Sequence, residues 1–137
     1  MKIITILFCI IACLACAETP KVITGFATYY TKLSAKSEGT SGTLTASGAR
    51  YDESKMTCAL PKATAKAWNI KYGASVRVTS LTTGRTVLAI YLDRGPGRLA
   101  RSRKVIVDLT PAAMIALAGD AGIKSGRGKV KIERIEK

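Results

Sequence analysis

The chain has 137 residues, the length of one domain, and carries 22 Lys and Arg against nine Asp and Glu, a formal net charge of +13. It contains no histidine, which excludes Ser-His and Cys-His nucleophile pairs and any His-ligated zinc site and leaves acid and base work to carboxylates or lysines. So basic a surface attracts polyanions, but no aromatic residues interleave with the basic clusters, and nucleic acid is not expected as a partner.

Residues 1–17 read as a signal peptide. Lys2 gives a positive start, Ile3 to Leu14 is almost wholly apolar, and Ala15-Cys16-Ala17 presents small residues for cleavage before Glu18. The run is shorter than the roughly 20 apolar residues of a spanning helix, so no transmembrane span is expected in the mature form. Ile10-Ile11-Ala12-Cys13 also loosely resembles a bacterial lipobox, which leaves two forms open, one free and one lipid-anchored through Cys13. Either is exported: periplasmic, held at the cell envelope or secreted. Cleavage removes Cys9, Cys13 and Cys16 and leaves Cys58, which reads as a small buried apolar residue and not as a nucleophile.

Val22 to Tyr30 is rich in β-branched and aromatic residues and predicts a strand, with Gly25 at a bulge. Thr31 to Leu44 is dense in Ser, Thr, Gly and Lys without an apolar period, and predicts a long surface loop that rims a groove. Thr45 to Asp52 is turn-like, its small side chains letting a bulky ligand approach the backbone. Met56 to Leu60 predicts a short buried strand, and Pro61 to Asn69 about two helical turns. Ser75 to Leu81 alternates polar with apolar, Thr82-Thr83-Gly84 turns the chain, and Arg85 to Leu92 returns as a strand. Four cations crowd Arg98 to Lys104 before the strand Val105-Ile106-Val107. Thr110 is an N-cap, Pro111 suits the first helical position, and the helix continues over Ala112 to Ala118 until Gly119 ends it. Gly128 to Ile135 alternates as the last strand. Short strands with one or two short helices predict a small, mostly β barrel.

The internal acids are Asp52, Glu53, Asp93, Asp108 and Asp120. Asp93 stands out because the apolar run Thr86 to Leu92 delivers it to the turn residues Gly95-Pro96. An acid at the end of a buried strand is half desolvated, the setting of a general acid. The same place suits a structural Asp that accepts backbone N–H bonds in a turn. Arg94 either clamps Asp93 or turns away toward a substrate carboxylate.

Several segments come in a familiar order: Gly25-Phe26-Ala27-Thr28-Tyr29-Tyr30, Thr45-Ala46-Ser47-Gly48, Tyr51-Asp52, Met56-Thr57, Val76-Arg77-Val78-Thr79 with Gly84-Arg85, Asp93-Arg94-Gly95-Pro96, and Val107-Asp108-Leu109-Thr110. This set resembles the rare lipoprotein A-like double-psi β-barrel family, related to the barrel domain of expansins. The resemblance implies a six-stranded double-psi β-barrel over residues 22–136. It implies lytic transglycosylase activity on peptidoglycan glycan strands, leaving 1,6-anhydro products, with no metal and no organic cofactor. There the attacking group is the substrate's own 6-hydroxyl, so a single carboxyl switching from acid to base suffices. The catalytic aspartate falls on Asp93, and groove-lining positions on Tyr29, Tyr30, Ser47 and Arg94, although strand alternation lets only one of the two tyrosines face a given side. The family's usual glutamate and histidine are replaced by Ala49 and, near the second place, Leu60; Asp52 or Glu53 is the substitute for the glutamate. The alternative expectation is a non-catalytic, expansin-like glycan-binding or wall-loosening module. The expected partner is peptidoglycan glycan or another anionic cell-wall polymer, bound by a monomer.

Overall fold

The computed structural model describes residues 21–37, 39 and 42–135. The expected leader and Cys13 lie outside the described residues. Six strands form: β1 (Val22–Tyr29), β2 (Thr57–Leu60), β3 (Ser75–Ser80), β4 (Thr86–Arg94), β5 (Val105–Leu109) and β6 (Arg127–Arg134). They close into a barrel, as expected, and its strand order is β1-β5-β2-β4-β3-β6. β1 with β5 and β2 with β4 run parallel, and the remaining pairs are antiparallel. Closure leaves no open sheet edge.

Alternation decides what fills the interior. In β3, Val76 and Val78 point inward between exposed Ser75 and Arg77, and in β5 Val105, Val107 and Leu109 do the same between Ile106 and Asp108. With Ala27, Leu60, Val130 and Ile132, the residues Val76, Val78, Val107 and Leu109 make one buried cluster. β2 is buried at all four positions, which is why it reads as a run and not an alternation. Cys58 is wholly buried there, and burial pushes its thiol up to about 12, so it is a core residue.

Among the described residues four helices join the strands, where one or two were expected. α1 (Lys32–Ser37) occupies part of the predicted loop. It buries no residue, so no apolar period could announce it. Local bonds build its start: Thr31 N donates to Ser34 Oγ, Ser34 N donates to Thr31 Oγ1, and Lys32 N donates to Glu53 Oε1. α2 (Lys62–Ala67) matches the predicted turns and seats Ala65 and Trp68 in the core. α3 (Arg98–Ser102) forms within the cationic stretch.

α4 (Pro111–Ser125) packs Ala113, Met114 and Leu117 onto the barrel and breaks at Gly119, whose φ of 63° and ψ of −162° are non-helical. The helix thus ends at Gly119 as predicted, but a second segment resumes beyond it. Thr110 takes an extended cap conformation without a side-chain cap bond. Its hydroxyl instead donates to Lys55 O, tying α4 to the turn before β2. Among the described residues no helix is long and apolar enough to cross a membrane.

Candidate functional site

A groove of about 1090 Å³ opens where β1, β4 and β5 end, and Tyr29, Tyr30, Thr45, Ala46, Asp93 and Asp108 are among its lining residues. The barrel's register assembles its floor. Thr28 pairs with Asp108, Asp108 with Ala59, and Ala59 with Asp93, so four strands contribute one row of residues. Paired residues share a face of the sheet, and two strand spacings put the Asp93 and Asp108 Cα atoms about 10 Å apart.

Asp93 belongs to β4, which runs two residues past the predicted strand end. Its Oδ1 accepts from Ala46 N and Arg94 N, each at 2.9 Å, and its Oδ2 accepts from Tyr30 Oη at 3.1 Å. The structural expectation is therefore met: two backbone N–H groups hold the carboxylate, and one of them pins the loop after Leu44 against β4. An ionised carboxylate offers about four acceptor positions. Donors among the described residues take three, and Asp93 itself lines the groove. Asp108 Oδ1 accepts from Thr28 Oγ1.

Tyr30 lies on Tyr51, with ring centroids 4.6 Å apart and 23° between planes. Burial first, and then the charge of Asp93, raise the Tyr30 phenol far above its ordinary value. Burial, then Glu53, Asp93 and Asp108, raise Tyr51 similarly. Tyr30 is thereby a fixed donor and not a base. Tyr29 also lines the groove, and its hydroxyl donates to Ile123 O at 3.1 Å. Both tyrosines reach the groove because β1 ends at Tyr29, so strand alternation no longer governs Tyr30.

The other expected site residues fall differently. Arg94 lines the groove as expected, but its guanidinium turns away from Asp93, and its Nε donates to Tyr72 Oη at 2.8 Å. Ion pairs among the described residues join Glu133 to Arg77 and Lys131, and none joins Arg94 to Asp93. Ser47 lies outside the groove lining. Its N donates to Leu92 O, and its Oγ shares a hydrogen with Thr45 Oγ1 at 2.7 Å, so it shapes the turn that carries Ala46. Asp52 is also outside the lining, in a local turn where Ser54 N and Oγ both donate to Oδ1 at 2.9 and 2.6 Å. Those bonds lower its carboxyl below the ordinary value. Glu53 serves α1 and not the groove. The second carboxylate of the groove is Asp108. The signal for it was present, an acid on the outward phase of an alternating strand just before a helix cap, but it was not singled out.

Among the described residues no group of three or more His, Cys, Asp or Glu could hold a metal. No family model matches the chain, and no curated protein matches it in sequence. Solved structures do. A papain inhibitor of Streptomyces superposes with a TM-score of 0.58 at 25% identity, over 85% of this chain and 96% of the inhibitor. The apo expansin of Clavibacter michiganensis superposes with a TM-score of 0.59 at 19% identity, over 85% of this chain and 52% of the expansin. An Asp-to-Asn mutant of that expansin in complex with cellohexaose gives 0.56 at 19% identity, over 85% and 51%. The chain thus spans about half of the expansin. The closed, mixed six-stranded barrel it shares with them is the double-psi β-barrel.

Proposed function

We propose that this protein is an exported, non-catalytic cell-wall glycan-binding or wall-loosening module of the expansin type, allied by its ordered motifs to the rare lipoprotein A-like barrels. One observation carries the reading: Asp93 is held by three donors on a groove wall that also presents Tyr30. This is an acceptor fixed in place for sugar hydroxyls, beside an aromatic edge for a sugar ring. The expansin that matches the fold was solved with cellohexaose, and the groove here lies in the barrel common to both. Titration of the chain with cellohexaose and with purified glycan strands tests it. Binding is expected to both insoluble wall and soluble oligosaccharide, and to weaken when Tyr30 becomes Ala. Absence of any glycan binding overturns the reading.

Two observations favour other readings. The juxtaposition of Asp93 and Asp108 supports glycan cleavage, as in a lytic transglycosylase with Asp93 as acid and base. Its test is digestion of peptide-free strands, and the expected product is a 1,6-anhydro sugar. The identity of 25% across 96% of the papain inhibitor supports a protease-inhibitor role, for which papain hydrolysis with and without the chain is decisive.

A further inference from the structure

The groove lining carries charges of both signs. Arg98, Arg101 and Arg103 line the groove, on and just after α3, together with Arg127 at the start of β6. All four are exposed. Residues three apart on a helix share a side, so Arg98 and Arg101 project together. Arg127 is braced, its guanidinium 3.7 Å above the Phe26 ring. Among the described residues none of the four makes an ion pair, since those ion pairs all belong to Glu133. Asp93 and Asp108 line the same groove.

A ligand that fills this groove must therefore both donate hydrogen bonds to the carboxylates and carry negative charge for the guanidinium groups. A polyphosphate fails the first requirement, because its ionised phosphates offer no donors. A neutral glucan offers the guanidinium groups hydroxyl acceptors but no countercharge. A sugar polymer whose rings carry both hydroxyls and carboxylates meets both, and guanidinium forks match carboxylates in bidentate fashion.

We propose that Arg98, Arg101, Arg103 and Arg127 form a carboxylate subsite, and that the glycan this groove takes is acidic. The inference rests on the glycan-binding reading above and narrows it. Two sources offer the same chemistry: polyuronates, and peptide-free peptidoglycan strands bearing lactyl carboxylates.

The test measures affinity of the full chain for four probes at fixed salt: an oligogalacturonate, the same oligomer fully methyl-esterified, peptide-free glycan strands, and cellohexaose. At least one carboxylate-bearing probe is expected to bind about tenfold or more tighter than cellohexaose, and which one does so identifies the source. Methyl esterification is expected to erase the gain, and added salt to reduce it. The triple variant R98Q/R101Q/R103Q is expected to lose the gain, with a much smaller change in its affinity for cellohexaose. A charge-matched triple outside the groove, K55Q/K66Q/K129Q, is expected to keep it; thermal unfolding checks that both variants fold. Equal affinity for charged and neutral probes overturns the inference and leaves the glycan-binding reading standing. Equal losses in the two triples also overturn it, since the attraction is then diffuse. Failure to bind any of the four probes overturns both.

Discussion

The Tyr30 hydroxyl donates to Asp93 Oδ2 over 3.1 Å, while the Tyr30 ring rests on Tyr51. One residue thus joins the aromatic wall of the groove to its carboxylate, and the two roles separate by mutation. Tyr30→Phe keeps the stack and deletes the donor. A hydrogen bond to a charged group contributes about 1.5–3 kcal/mol, and water replaces part of it at this half-buried site. The expected loss in unfolding free energy is about 1–2 kcal/mol by urea denaturation, with weaker cellohexaose binding. Unchanged stability together with unchanged binding would mean that the bond does not hold the groove.

Asp93→Asn is expected to fold with a loss below about 1 kcal/mol. Its amide oxygen can accept from Ala46 N and Arg94 N where Oδ1 does now, and its NH₂ can donate to Tyr30 Oη if that hydroxyl rotates to accept. The variant therefore probes chemistry without collapsing the loop after Leu44. Under the binding reading it retains the wall in a sedimentation assay, and neither it nor the parent releases anhydro sugars. Release by the parent that the variant lacks would move the protein into the enzyme class.

The barrel was legible in the sequence because its strands either alternate, as in Ser75 to Ser80, or run apolar, as in Thr57 to Leu60. Gly119 announced the break in α4 for an equally local reason: its backbone is one that only glycine adopts readily. α1 was not legible, since Thr31, Ser34 and Glu53 make it through caps and not through a buried face. The site was half legible. Asp93 follows from its place at a strand end, but its neighbour Asp108 depends on β2 lying between β4 and β5, a long-range register that no local pattern encodes. Asp52, adjacent to Tyr51 in sequence, was drawn toward the site by proximity along the chain and is turned out of it by its own bond to Ser54.

Gly95→Ala is expected to damage the groove more than its size suggests. Gly95 has φ of +154°, and an added Cβ would lie 3.2 Å from Asp108 Oδ2 and 3.5 Å from the Ala59 methyl. Backbone strain of about 1–3 kcal/mol therefore coincides with a push on the second carboxylate. Glycan affinity should fall along with stability. Gly97→Ala is the control, because a Cβ there meets nothing within 4 Å. Equal behaviour of the two variants would rule out the close approach of Gly95 to Asp108 as a constraint on the site.

The protein should lose stability steeply in alkali. Burial, followed by Tyr72, pushes the Tyr91 phenol from 10.0 to about 12, and burial alone pushes the Cys58 thiol from 9.0 to about 12. Tyr30 and Tyr51 are raised in the same direction. All four are neutral when protonated, and the native state holds each proton more tightly than the unfolded chain does. Their contribution is fully present below the unfolded values. As pH rises past about 9 for the thiol and 10 for the phenols, the unfolded chain binds fewer protons than the native one, and unfolding free energy falls until the folded values are passed. Urea midpoints measured from pH 8 to 12 should thus stay level at first and then drop. Cys58→Ala should remove the part of the decline that begins near pH 9 and leave the part that begins near 10. A midpoint that stays level through pH 12 would show that these side chains titrate freely in the native barrel.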